Sequence, residues 1–211
     1  DSGESDTRTV SINVDPVADL TATDDSFTTN EDTALNADVS LNDSTTSGGT
    51  LTYALATGAG NGSVSMNADG TFTYTPTANF TGSDSFTYTV TDADSGESDT
   101  RTVSINVDPV TDLTATDDSF STNEDTALNA DVSTNDSTTS GGTLIYTLAT
   151  GAGNGSVSMN ADGTFTYTPS ANFTGSDSFT YTVTDVDSGE SDTRTVSINV
   201  DPVADLTATD D

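Results

Sequence analysis

Apolar residues alternate with threonine and serine along most of this chain, with a period of two and no helical stretch. Phe27 marks a short strand near 25–29. Leu35, Ala37 and Val39 mark a second, and Leu51, Tyr53 and Leu55 a third. Val64 and Met66 mark a fourth, Phe72 and Tyr74 a fifth, Phe86, Tyr88 and Val90 a sixth, and Val103, Ile105 and Val107 a seventh. Their Thr and Ser partners suit the wet face of a sheet. Asn67-Ala68-Asp69-Gly70 predicts a tight turn joining the fourth strand to the fifth. Pro76 ends a strand, because proline cannot donate to a ladder. Short strands with turns about every 8–12 residues predict an all-β fold, an immunoglobulin-like Greek-key sandwich of seven strands. Its expected core is Phe27, Leu35, Leu51, Tyr53, Val64, Phe72, Tyr74, Phe80, Phe86, Tyr88, Val103 and Ile105.

The pattern recurs every 93 residues, almost letter for letter. Between 1–93 and 94–186 seven positions differ: Ala18/Thr111, Thr28/Ser121, Leu41/Thr134, Thr52/Ile145, Ala54/Thr147, Thr77/Ser170 and Ala93/Val186. Repetition at this length predicts whole domains in series, each with its own core. The expected division is 1–19 as the last strand and linker of a preceding repeat, 20–112 and 113–205 as complete repeats, and 206–211 as the start of another. Within 1–19, residues 7–14 read as a strand whose apolar face (Val10, Ile12, Val14) needs a partner sheet.

Charge narrows the function. The chain holds 35 acidic residues, three arginines and no lysine, histidine or cysteine. Such density excludes nucleic acid and anionic membrane as direct partners, since both demand positive charge. It also opposes compaction unless cations neutralise it. No disulfide can brace the domains. The abundance of Thr, Ser, Asn and Asp without lysine suits an extracellular, saline setting. Arg101 shares the parity of Val103 and is expected to pair with a nearby loop acid such as Asp99.

The segments DDSFTTNEDTAL (24–35), GTFTYTP (70–76), NFTGSDSFTYTVTDADSG (79–96) and TVSINVDPV (102–110) resemble the bacterial cadherin-like and immunoglobulin-like repeats of giant biofilm-associated and RTX-type surface adhesins. The resemblance spans the whole repeat. It implies cadherin-like extender domains in series on a bacterial cell surface, commonly stiffened by calcium at their junctions. The Asp-Asn pair usual in cadherin linkers is missing from Asp108-Pro109-Val110-Thr111-Asp112.

Topology sorts the acids. In a seven-strand sandwich the chain enters at one pole, here called proximal, and leaves at the other, the distal pole. Glu31, Asp32 and Asp84, with their repeats Glu124, Asp125 and Asp177, are expected at the distal pole. Asp43, Asp92, Asp94 and Asp99, with Asp136, Asp185, Asp187 and Asp192, are expected at the proximal pole. The linkers carry Asp15, Asp19, Asp24 and Asp25, then Asp108, Asp112, Asp117 and Asp118, then Asp201 and Asp205. Stacking two repeats would gather about a dozen oxygen donors at a junction, and calcium favours six to eight hard oxygen ligands. With no nitrogen or sulfur ligand, zinc and copper are disfavoured. All these acids are therefore candidate calcium ligands, whereas Asp38 and Asp69 read as ordinary turn residues.

The leading expectation is mechanical: calcium clamps each junction, and the stiffened array projects a distant binding domain for adhesion and biofilm formation. Pro16, Pro109 and Pro202 would limit linker freedom. A self-associating filament or surface-layer element built by strand addition is the alternative. A glycan-binding module is disfavoured because loop aromatics are scarce: Phe80 is the main candidate and reads as a core plug. An enzyme lacks any His, Cys or Lys to act as base or nucleophile.

Overall fold

The computed structural model describes residues 2–15 and 17–204. They form two units that divide between Asp108 and Pro109. In the first unit the strands are β1 (Leu20–Thr21), β2 (Asp25–Asn30), β3 (Leu35–Asp38), β4 (Ser44–Thr45), β5 (Leu51–Thr57), β6 (Gly62–Met66), β7 (Thr71–Pro76), β8 (Gly82–Asp92) and β9 (Ser98–Asp108). The second repeats them as β10 (Leu113–Thr114), β11 (Asp118–Asn123), β12 (Leu128–Asp131), β13 (Ser137–Thr138), β14 (Leu144–Thr150), β15 (Gly155–Met159), β16 (Thr164–Pro169), β17 (Gly175–Asp185) and β18 (Ser191–Asp201). A one-turn 3-10 helix, Ser40–Asn42 or Ser133–Asn135, interrupts each unit after its third strand.

Each unit is a sandwich of a four-stranded sheet, β2-β9-β8-β5, and a three-stranded sheet, β3-β7-β6. The seven long strands are those the alternation predicts. The short pair β1–β4 is additional: Leu20 faces Thr45 and Thr21 faces Ser44. From β1, beside β4, the chain crosses to run parallel to β9, from Asp25↔Val103 to Asn30↔Asp108. In the hairpin β8–β9, Gly82 faces Val107 at one end and Thr91 faces Ser98 at the other.

The alternation turns into burial. Phe86, Tyr88 and Val90 of β8 point inward, as do Val103, Ile105 and Val107 of β9, and each is at most 1% exposed. Phe27 packs edge-on against Phe72 at 5.4 Å between centroids, and Phe72 against Phe86 at 5.1 Å. Edge-to-face pairs of this kind add about 0.5–1.5 kcal/mol beyond the area they bury. Tyr53, Phe72 and Tyr74 are buried as expected, while Phe27, Leu35, Leu51, Val64 and Phe80 are half-buried against the same cluster. The second unit repeats this core around Tyr146, Phe165, Tyr167, Phe179 and Tyr181. The seven positions that differ between repeats lie outside it. Leu41, for example, is 85% exposed. Gly62 lets β6 pass close under Tyr74: a Cβ there would come within 2.5 Å of the ring.

Among the described residues, residues 7–14 are not paired into a sheet, and Val10, Ile12 and Val14 stand exposed. Pro16, Asp205 and residues 206–211, which include the expected start of a further repeat, lie outside the described residues.

Candidate functional site

At the distal end of the first unit, Asp84 reaches across the opening of β8. Its oxygens accept the backbone N–H groups of Gly60 (3.0 Å), Asn61 (2.9 Å) and Ser85 (2.8 Å) and the hydroxyl of Tyr74 (2.9 Å). Burial pushes its pKa up, but these donors outweigh burial and hold it below the usual carboxylate range. Asp177 repeats the arrangement with Gly153, Asn154, Ser178 and Tyr167. Four donors occupy the two oxygens, so both residues work as clasps inside their own repeats.

At the proximal end, Asp92 is fully buried and accepts the hydroxyls of Thr45 and Ser47 and the N–H of Asp94. The hydroxyl of Ser47, then that of Thr45, holds its pKa well below normal. Asp185 meets Thr138, Ser140 and Asp187 in the same way. Burial raises its pKa, yet those hydrogen bonds win and bring it to about 2. Asp94 and Asp187 remain exposed, with their N–H groups turned to Asp92 and Asp185. Asp99 pairs with Arg101 and Asp192 with Arg194, as the parity of the arginines predicts.

Most linker acids fall into three environments. Asp19 Oδ1 accepts the Thr46 hydroxyl at 2.7 Å, and Asp112 Oδ1 accepts that of Thr139 at 2.6 Å. Asp112 is only 6% exposed, and its Oδ2 is buried with no hydrogen-bond partner. Asp24 accepts the N–H of Thr102, and Asp117 that of Thr195, both at 2.9 Å. Asp15, Asp108 and Asp201 each accept a neighbouring asparagine amide.

Asp25 and Asp43 meet where the chain crosses between sheets. The Tyr88 hydroxyl lies 3.0 Å from Asp25, 3.4 Å from Asp43 and 3.3 Å from the Thr23 carbonyl, though it has one proton to give. Asp118, Asp136 and Thr116 surround Tyr181 likewise, at 3.0, 3.2 and 3.2 Å. Burial raises the pKa of Asp25, and repulsion from Asp43 adds to it against the hydrogen bond from Tyr88. Asp118 is raised for the same reasons. The buried hydroxyls of Tyr53 and Tyr146 face Asp43 and Asp136, in poor geometry for a hydrogen bond.

Of the remaining candidates, Asp32 and Asp125 adopt positive φ and accept the N–H of Asn79 and Asn172, both at 3.0 Å. Glu31 is buried and donates its N–H to the Asp108 carbonyl at 2.9 Å. Glu124 accepts the Val203 N–H at 2.7 Å. Asp69 accepts from Thr71, and Asp38 from the N–H of Ser40, as turn residues do.

Sequence reasoning missed Glu97 and Glu190. Glu97 Oε2 accepts the N–H groups of Asp19 and Leu20, both at 2.8 Å, and Glu190 those of Asp112 and Leu113 at 2.8 and 2.7 Å. They anchor the start of each repeat to the β8–β9 or β17–β18 turn. Their place within the acidic runs Asp92–Asp99 and Asp185–Asp192 was the available signal. Among the described residues, no group of three or more acidic side chains is arranged to hold a metal ion. Nor is any helix there long and apolar enough to cross a membrane.

Solved structures resemble the chain at low identity. Extracellular repeats 1–2 of human protocadherin-24 match at 16% identity, over 88% of this chain and 99% of that one, with a TM-score of 0.39. Repeats 1–4 of Drosophila N-cadherin match at 14%, over 85% and 47%, with a TM-score of 0.35. An endo-fucoidan hydrolase of glycoside hydrolase family 107 matches at 20%, over 89% and 29%, with a TM-score of 0.40. This chain therefore spans less than a third of that enzyme's length, and likenesses at these scores bear no further argument. No curated protein matches. The model of the bacterial cadherin-like domain matches twice, over residues 13–109 and 110–202, and the chain belongs to that family.

Proposed function

We propose that these repeats are calcium-stiffened extenders of a long bacterial surface adhesin, which hold a distal binding domain away from the cell and so serve adhesion and biofilm formation. Tandem cadherin-like repeats are, in general, extracellular adhesion and spacer modules. The calcium reading rests on one observation above all: Asp112 Oδ2 is a buried carboxylate oxygen without a donor, in a chain that has no lysine to neutralise it. Burying an unpaired charge is costly, and a bound cation removes that cost. The donor set fits calcium because it is all oxygen. Asp112 would be the first ligand of the ion, and calcium would supply the positive charge that the sequence lacks.

Small-angle scattering and thermal melting of the whole chain, with calcium and with chelator, test this. Calcium should stiffen the particle and raise the melting temperature. A scattering profile and a melting temperature both indifferent to chelator overturn the reading. The repeats act as structure rather than as catalyst, in keeping with the absence of His, Cys and Lys and with the duplication of every candidate residue. Strand-addition assembly is the second reading, favoured by the exposed face of Val10, Ile12 and Val14. Its mark is association that grows with protein concentration.

A further inference from the structure

Inside each repeat, two carboxylates and a carbonyl converge on a single proton. Asp25 opens β2, Asp43 follows the 3-10 turn, and Tyr88 belongs to β8. The Tyr88 hydroxyl has Asp25 Oδ2 at 3.0 Å, Asp43 Oδ2 at 3.4 Å and the Thr23 carbonyl at 3.3 Å, and it can satisfy only one of them. A second hydroxyl is aimed at the same place. Tyr53 is 6% exposed, and its oxygen faces Asp43 without making a hydrogen bond. The rings of Tyr53 and Tyr88 stand 6.0 Å apart. Arg101, the one cation of residues 20–112, is engaged with Asp99. The second repeat rebuilds the cluster from Thr116, Asp118, Asp136, Tyr146 and Tyr181. Tyr146 is 3% exposed, and its oxygen likewise lacks a hydrogen bond. None of the differences between the repeats falls on these residues.

We propose that each repeat binds a calcium ion of its own, at Asp25 and Asp43 in the first and at Asp118 and Asp136 in the second. The site is separate from the linker: all its residues lie within one unit, and Asp112 is not among them. Too many acceptors for one proton is the shortage that a cation relieves. Two carboxylates match the charge of a divalent ion. The Thr23 carbonyl and the tyrosine hydroxyls are neutral oxygens, and water can complete the shell that calcium prefers. Magnesium demands a stricter geometry, and zinc and copper favour nitrogen or sulfur. The Tyr53 oxygen sets this cluster apart from Asp84 and Asp92, whose oxygens are met by donors. Thr23 is exposed and Asp25 and Asp43 are half-buried, so an ion can reach them from solvent. Once bound, it ties the crossing between β1 and β2 to the loop after the 3-10 turn. It therefore stabilises each sandwich whatever happens at the joint.

Terbium, a hard-cation stand-in for calcium, tests this on the full chain. The chain has no tryptophan, so ultraviolet excitation reaches terbium only through a tyrosine beside the ion. The wild type should give tyrosine-excited terbium emission that calcium displaces. Asp43→Asn combined with Asp136→Asn should weaken terbium binding at least about tenfold, because each site loses one of its two charges. The amide keeps an oxygen for the N–H of Thr23 or Thr116, so the fold should survive. Asp25→Asn with Asp118→Asn is the second pair, should behave alike, and serves where the first does not fold. Asp112→Asn should leave the emission unchanged. Absence of calcium-displaceable, tyrosine-excited emission from the wild type overturns the proposal. So does emission that survives both Asn pairs. Emission lost in Asp112→Asn alone overturns it too, since the ion would then belong to the linker.

Discussion

Asp84 and Asp112 are both buried carboxylates, 8% and 6% exposed, yet their surroundings are opposite. Asp84 meets three backbone N–H groups and a tyrosine hydroxyl. Asp112 meets one hydroxyl, leaving an oxygen without a donor. A satisfied acid is a structural part, whereas a buried acid short of donors is where a cation does most good. Counting carboxylates overstates the ligands, because Asp84, Asp92, Asp99, Asp177, Asp185 and Asp192 already hold hydrogen bonds or ion pairs within their repeats.

The comparison can be broken at Asp84. Asp84→Ala strands the N–H groups of Gly60, Asn61 and Ser85 and the Tyr74 hydroxyl in a buried place, and should cost roughly 3 kcal/mol or more. Urea unfolding should show that loss equally with calcium and with chelator, since the clasp is internal. A loss below about 1 kcal/mol, or one seen only with calcium, would remove the distinction between the two kinds of acid.

Asp112→Asn sharpens the other side. With chelator present, the neutral amide should leave melting unchanged or slightly raised, because it removes an uncompensated buried charge. With calcium, the variant should forfeit much of the ion-induced rise in melting temperature, on the order of 2 kcal/mol of linked stability. A calcium titration of melting, wild type against variant, measures this. An identical calcium response in both would detach Asp112 from any ion.

Hydrophobic alternation made the seven long strands readable, because sheet burial has the period of the sequence pattern. Phe86, Tyr88 and Val90 announce β8 on their own. The pair β1–β4 stayed hidden because strands of two residues carry no period. Val39 continues the alternation of Leu35 and Ala37 yet lies just past β3, fully buried where the 3-10 turn begins. Two donors of Asp84, the N–H groups of Gly60 and Asn61, lie 24 and 23 residues earlier in the chain, a separation no local motif encodes. The poles were legible from strand parity, but which acids were already engaged depended on the folded loops.

Acid pH separates the two kinds of acid by sign. The clasps Asp84, Asp92, Asp177 and Asp185 have pKa values below the ordinary 3.8. Their stabilisation is present above that value and is lost as pH falls from it through their folded values. Asp25 and Asp118 are raised above 3.8, so the folded state takes up their protons first. That uptake adds stability as pH falls through their folded values. Without calcium, stability should therefore hold or rise from neutrality toward pH 4, helped by fading repulsion among the 35 acids, and then drop. Urea midpoints across this range provide the check, and a steady decline from pH 7 downward would contradict the assignment.

The smallest expected effect belongs to Tyr88→Phe. The hydroxyl serves Thr23, Asp25 and Asp43 with a single proton, so its loss should cost only about 1 kcal/mol. It also leaves Asp25 and Asp43 facing each other without that shared donor, which should lift the pKa of Asp25 further. The stability gain on acidification should then begin at higher pH than in the wild type. A variant whose pH profile superimposes on the wild type, merely shifted down, would make Tyr88 a packing residue and leave the carboxylates beside it indifferent to each other.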